Sequence, residues 1–283
     1  MNHETPSELL NLPTGADFDA DEARAEKPPR AMPSAKDLPY DDGEPMDTPW
    51  HREQMNLLIH SLEQHWRDRT DFYVGGDMFV YYSLDQALNR DFRGPDFFVV
   101  FGVDKHTPRL SWVVWEEGGH APDVIVEILS PTTAHIDRGV KMDVYARSLR
   151  TSEYFLYDPD ANALEGWRLD GQSYARIAPE PDGRVRSVRL DLLLGPWDGA
   201  YGDRNTRWLR FFTRKGALVP TGEEAAVTRA DAATARARAA AAKARAADAK
   251  ARAADAARAL AEAEIARLKQ ELDALRKQAP PSP

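Results

Sequence analysis

Residues 121–159 read APDVIVEILSPTTAHIDRGVKMDVYARSLRTSEYFLYDP, and the succession of patterns within them decides the fold. Val124 to Leu129 form a β-branched and aliphatic run broken by one acid, Glu127, which is the composition of a buried strand. Ser130 and Pro131 end that strand, and the apolar spacing from Asp137 to Tyr145 predicts a helix with Val140, Met142 and Val144 turned inward. A second strand, Glu153 to Tyr157, stops at Asp158-Pro159. The unit is strand, helix, strand with a connection long enough for a crossover, and Val126, Ile128, Phe155 and Tyr157 form its apolar heart.

Upstream, Met55, Leu58, Ile59, Leu62 and Trp66 recur at helical spacing, so an amphipathic helix is expected from about His51 to Arg67, capped by Thr48 with Pro49 at its first position. Surface placement is expected for His51 and Glu53 in its first turns. Phe72 to Ser83 reads as a strand bent at Gly75-Gly76-Asp77. Gly94-Pro95-Asp96 introduces the apolar strand Phe97 to Phe101, and Trp112 to Trp115 form a short strand or covering loop. Downstream the character turns antiparallel: Ala163 to Leu169, a hairpin at Asp170-Gly171, Ser173 to Ala178, Val185 to Leu190, Leu192 to Leu194 closing at Gly195-Pro196, and a last strand Trp208 to Thr213. The prediction is a mixed α/β fold.

The two ends have different compositions. Residues 1–47 are acidic and rich in proline, which marks a disordered or loosely attached arm with Leu9, Leu10 and Leu12 available for docking. The folded domain is expected over 48–222. From 223 to 279, alanine and charged residues predominate and favour one long helix, stopped before a disordered tail at 280–283 by Pro280 and Pro281. With Ala237 and Ala240 at positions a and d, the same seam carries Ala244, Ala247, Ala251, Ala254, Arg258, Ala261, Ile265, Leu268, Leu272 and Leu275. A homo-oligomer joined through this helix is the expectation, against the alternative of a lone helix fraying in solution.

The chain has no cysteine, which excludes a disulfide scaffold, a cysteine nucleophile and cysteine-ligated zinc. It lacks a run of eighteen apolar residues and a basic, apolar N-terminal leader, so no membrane association is expected and cytoplasmic residence is. The net charge of −9 repels a nucleic-acid backbone at long range, yet it does not decide what one cleft does.

A carboxylate in an apolar strand is costly without a cation beside it. For Glu127 the candidates are Lys141 on the following helix and a divalent ion; the plainer reading has Glu127 facing solvent and Lys141 on the surface. Asp96 is the second acid set against an apolar strand, and neighbouring strands can bring it to Glu127. Two carboxylates sharing a polar site repel each other, which Mg²⁺ or Mn²⁺ relieves by taking carboxylate oxygens. A lysine nearby can orient water or stabilise charge building on phosphate. Asp123 lies about 13 Å from Glu127 along a strand, too far to share an ion, and is expected as a turn cap or outer group. Asp137 is placed as a cap of the Lys141 helix, and Tyr145 as a core aromatic.

The phrases GPDFFVV at 94–100, PDVIVEILSPTT at 122–133, DRGVKMDVYA at 137–146 and SEYFLYDP at 152–159, in this order, resemble the bacterial Uma-two type family, which is grouped with restriction endonucleases in the PD-(D/E)XK nuclease superfamily. The resemblance runs from about Trp50 to Gly222. It implies a restriction-endonuclease-like core, a central mixed sheet flanked by helices, and an Mg²⁺- or Mn²⁺-dependent endonuclease acting on DNA. It matches Asp96 to the first metal-binding aspartate and Glu127 to the strand-borne acid. The superfamily's lysine two positions after that acid is Leu129 here; Lys141 fits the place of a displaced catalytic lysine, and Glu53 or His51 that of a further polar group on the first helix. The alternative is a noncatalytic interaction protein that keeps the nuclease-like core and assembles through its C-terminal helix.

Overall fold

The structure is a computed structural model that describes residues 31–40, 48–89 and 94–278. The leucines at 9, 10 and 12 and the tail at 280–283 lie outside these residues. Helix α1 (Pro49–His65) begins as its cap chemistry requires: Thr48 is extended, its hydroxyl accepts the His51 amide, and Pro49 sits where no N–H is needed. Next come β1 (Phe72–Gly75), β2 (Val80–Tyr81), α2 (Leu84–Asn89), β3 (Phe97–Phe101), β4 (Trp112–Val113) and β5 (Val124–Ile128). Two short helices follow, α3 (Ala134–Asp137) and α4 (Val140–Arg147). The chain continues through β6 (Glu153–Asp158), β7 (Ala163–Asp170), β8 (Ser173–Arg176), β9 (Val185–Ser187), β10 (Leu192–Tyr201), β11 (Arg204–Thr213) and the long α5 (Gly222–Gln278).

Six strands form the main sheet in the order β1-β3-β5-β6-β7-β8. β5 and β6 run parallel, and the other neighbours are antiparallel, so the sheet is mixed. Strand alternation splits β5 cleanly. Val124, Val126 and Ile128 join Phe155 and Tyr157 in a core closed by Leu58 and Leu62 of α1 and by Leu192, Leu194, Leu209 and Phe211 of a second, three-stranded sheet, β11-β10-β9. Ile125 and Leu129 face the other way, into a cluster with Tyr145, Leu149, Tyr154 and Leu156. Glu127 shares that second face by its position in the strand, and thus points toward α4.

Several boundaries differ from the sequence reading. Phe72 to Ser83 is two strands, because the chain turns at Gly76 and Asp77, where Asp77 takes a φ of 49°, and β2 leaves to pair in parallel with β4. One helix was expected between β5 and β6, but the chain breaks at Gly139, so Asp137 lies inside α3 and does not cap α4. The later start rotates Val140 outward, leaving it 57% exposed, while Tyr145 and Ala146 are buried. β10 also passes straight through Gly195-Pro196 to Tyr201 and pairs along its whole length with β11. β9 covers only Leu192 to Leu194; beyond them β10 is an edge strand on that side, where proline's missing N–H costs no ladder bond.

Within the acidic arm, residues 31–40 lie on the domain. Leu38 packs with Phe79, Tyr81 and Val113, while the carbonyls of Pro33 and Pro39 accept hydrogen bonds from the Trp115 indole and the Tyr81 hydroxyl. Among the described residues, no helix is long and apolar enough to cross a membrane.

Candidate active site

Asp96 precedes β3, and Glu127 is the penultimate residue of β5, its antiparallel neighbour, so the ladder brings the two acids together. Phe97 faces Val126, and one step beyond it side chains take over from the backbone pairing. The Ile128 amide donates to Asp96 Oδ2 at 2.6 Å, and the Asp96 amide donates to Glu127 Oε2 at 3.2 Å. The turn after β1 packs directly on this junction. A Cβ at Gly76 would stand 2.4 Å from the Asp96 carbonyl oxygen, so only glycine allows that approach.

Three further elements complete the cluster. From α4, Lys141 Nζ lies 3.0 Å from Glu127 Oε1 and 2.7 Å from Asp137 Oδ1. The Tyr145 hydroxyl, one turn further along, donates to the same Glu127 oxygen at 2.8 Å. From α3, Asp137 is buried, and its carbonyl accepts the Tyr154 hydroxyl at 2.9 Å. From α1, His51 Nε2 approaches Asp96 Oδ1 to 2.9 Å. Tyr145 and Tyr154 meet edge to face at 5.3 Å and close the floor.

Glu127 is 1% exposed. Burial pushes its carboxyl up to about 8; Lys141 opposes that rise, Asp96 and Asp137 add to it, and the Tyr145 hydrogen bond again opposes it. Burial alone would favour neutral Lys141, but Glu127, Asp137 and Asp96 outweigh it and hold the amine protonated above its usual range. Tyr145 is likewise held protonated by burial and by Glu127. The site is therefore a buried group of acids around one ammonium.

The residues singled out in the sequence fall into two groups. Asp96, Glu127 and Lys141 come together. Glu53 does not join them: it pairs with Arg204 at 2.8 Å, because two residues along a helix turn the side chain through roughly 200°. His51 is buried at the cluster and not on the surface. Asp123 sits at the far end of β5, accepting the Phe101 amide at 2.9 Å and pairing with Arg189. Leu129 is 5% exposed in the apolar cluster, so a lysine there would be buried among aromatic rings. Asp137, expected as a helix cap, belongs to the site: it lies four residues before Lys141, and the break at Gly139 between α3 and α4 leaves the two side chains in contact.

Among the described residues, no group of three or more His, Cys, Asp or Glu side chains is arranged to hold a metal ion. Asp96 and Glu127 supply hard carboxylate oxygens from adjacent strands; Glu127 Oε1 is taken up by Tyr145 and Lys141, while Oε2 accepts one hydrogen bond, from the Asp96 amide, and keeps a second lone pair. That donor set suits Mg²⁺ or Mn²⁺, of which Mg²⁺ needs one or two carboxylates and keeps most of its water.

A mixed sheet that delivers two acids from neighbouring strand ends to a helix-borne lysine defines a restriction-endonuclease-like protein. The chain belongs to the Uma2 family, whose model, described as "Putative restriction endonuclease", matches residues 27–198. Among solved structures, it is similar to one from Anabaena variabilis described as "a putative nuclease belonging to DUF820". That likeness is at 18% identity over 56% of this chain and 86% of the other, with a TM-score of 0.39, a superposition too loose to add to the strand order. No curated protein matches the chain.

Proposed function

We propose that this chain is a divalent-metal-dependent endonuclease that hydrolyses DNA phosphodiester bonds at Asp96, Glu127 and Lys141. The observation that carries the reading is the convergence of the Asp96 and Glu127 carboxylates beside a protonated, half-enclosed Lys141. Family membership supports the nuclease class. A centre with more acids than bases repels a phosphodiester, and a bound divalent ion reverses that field.

Asp96 and Glu127 are the groups that would hold Mg²⁺ or Mn²⁺, which when bound supplies a Lewis acid and a more acidic water. His51 fixes one oxygen of Asp96, and Tyr145 fixes one of Glu127, so both carboxylates are oriented before substrate arrives. Lys141 remains an ammonium, so it cannot take a proton from water; it donates, orienting a water or offsetting charge on the phosphate. Asp137 holds Lys141 from the other side and prevents it from collapsing wholly onto Glu127.

The test is incubation of the full chain with duplex, single-stranded and branched DNA, and with RNA, with and without Mg²⁺ or Mn²⁺. Metal-dependent DNA products that vanish in both Asp96→Asn and Glu127→Gln, with unchanged thermal unfolding, support the reading. Cleavage that survives Asp96→Asn rejects the site, and no metal-dependent product on any substrate leaves the noncatalytic interaction reading in its place.

A further inference from the structure

α5 runs unbroken from Gly222 to Gln278, and its anchorage to the domain is firm. Thr221 and Glu224 form a reciprocal cap: Glu224 N donates to Thr221 Oγ1 at 3.2 Å, and Thr221 N donates to Glu224 Oε2 at 2.7 Å. The Glu224 carboxylate also receives both terminal nitrogens of Arg210, at 3.0 and 2.7 Å, and that guanidinium is fully buried. Beyond this root the helix is exposed, and Ile265, Leu268 and Leu272 each remain about half exposed on one side. Isolated helices gain little from propensity alone, so an apolar stripe of this kind needs a cover.

We infer that the cover is a second copy of this chain, joined along α5 as a parallel, in-register two-stranded coiled coil. Charge placement carries the inference. In the register that puts Ile265 at a and Leu268 at d, the g positions are Arg236, Lys243, Lys250, Ala257, Glu264 and Glu271, and the e positions include Asp248, Asp255, Glu262 and Lys269. In a parallel dimer each g side chain meets the e side chain five residues later on the other helix. The resulting charged pairs are Lys243 with Asp248, Lys250 with Asp255 and Glu264 with Lys269, all of opposite sign, although the sign at g reverses midway. No g–e pair from Arg229 to Lys269 sets like charges together.

An antiparallel dimer centred on the helix middle does less well. It gains Arg236 with Glu264 and Arg229 with Glu271, but it sets Lys250 and Asp248 each against its own copy and lays the leucines on alanine. A β-branched residue at a with leucine at d, as at Ile265 and Leu268, is the pattern of two parallel strands. The exception on the seam is Arg258 at a. Its neighbour at g is Ala257, which leaves Glu262 without a basic partner, and Arg258 Nε already lies 2.9 Å from Glu262 Oε1. Arg258 and Glu262 thus neutralise each other within each helix, so Arg258 restricts the register and does not forbid it. Both domains would then stand at the same end of a two-fold rod. The inference does not depend on the nuclease reading.

The experiment uses the full chain. Light scattering after gel filtration is expected to give twice the chain mass for the wild type and the single mass for Leu268→Glu/Leu272→Glu, whose domain unfolds at the wild-type temperature. The chain has no cysteine, so Ala261→Cys at d introduces one thiol. Parallel pairing predicts that mild oxidation converts most of this variant to a covalent dimer. A wild type that is monomeric at tens of micromolar overturns the proposal, as does a dimer in which Ala261→Cys fails to cross-link.

Discussion

Lys141 Nζ lies 3.0 Å from Glu127 Oε1 across the junction of β5 and α4 and 2.7 Å from Asp137 Oδ1, so two buried acids share one ammonium. Position 129, two residues after Glu127 on the same strand face, is packed with leucine. A lysine there would enter along the strand; Lys141 enters from above, on a helix whose next turn carries Tyr145 to the same oxygen.

Removing that ammonium has a structural cost as well as a chemical one. Lys141→Met leaves Glu127 and Asp137 facing each other without a cation, and stability is expected to fall by about 3 kcal/mol in urea unfolding at pH 8. Glu127 has a folded pKa above its unfolded value of 4.5, so protonated Glu127 favours the folded state. Stability from this group is greatest below 4.5 and declines as pH rises toward 8. Lys141 opposes the rise in pKa, so its removal pushes the folded value higher still and extends the decline past pH 8, and the variant should lose less at pH 5 than at pH 9. An equal loss at both would show that Lys141 is not the counter-ion of these acids.

An ion taken up at Asp96 and Glu127 must displace the proton that Glu127 holds below about 8. Mn²⁺ affinity measured by titration calorimetry is expected to rise by about tenfold per pH unit from 6 to 7.5 and to level off above 8. Glu127→Gln should flatten the profile. An affinity independent of pH in the wild type would place the ion elsewhere.

His51 orients Asp96 from α1. His51→Ala is expected to weaken Mn²⁺ binding by about 10- to 100-fold with the fold intact, and His51→Gln, which keeps a donor, to recover part of it. Unchanged binding in His51→Ala would reduce that contact to packing.

At the root of α5, burial raises the Glu224 carboxyl, but hydrogen bonds from Arg210 and Thr221 and the Arg210 charge outweigh it and hold it below its usual value. A depressed folded pKa contributes stability that is present above 4.5 and is lost as pH falls through the folded value. Glu224→Gln strands the buried Arg210 and is expected to cost about 3 kcal/mol at pH 7. The difference from wild type should shrink as the pH falls through the folded value, where the native carboxyl itself becomes neutral; urea unfolding at pH 7 and at successively lower pH below 4.5 checks it.

How far the sequence could be read follows from how local each signal is. The alternation of Val124 to Leu129, the recurrence of Leu58 and Leu62, and the Thr48-Pro49 cap are set by neighbours in the chain, and they reappear as β5 and α1. Pro196 misled because a proline stops a strand only where both edges are paired, and whether β9 reaches it is a matter of sheet geometry. Asp137 misled because a break at Gly139, two residues on, turned a presumed cap into a partner of Lys141.

The sequence by itself determined the mixed α/β pattern, the parallel β5–β6 unit, the strand positions of Asp96 and Glu127 and the charged heptads of α5, because periodicity and charge order are written along the chain. Tertiary structure alone decided that His51 and not Glu53 faces Asp96, that Asp137 shares Lys141 with Glu127, and that residues 31–40 fold onto the domain. Those outcomes depend on the rotation of whole helices against the sheet and on burial supplied by distant segments, and no local pattern encodes either.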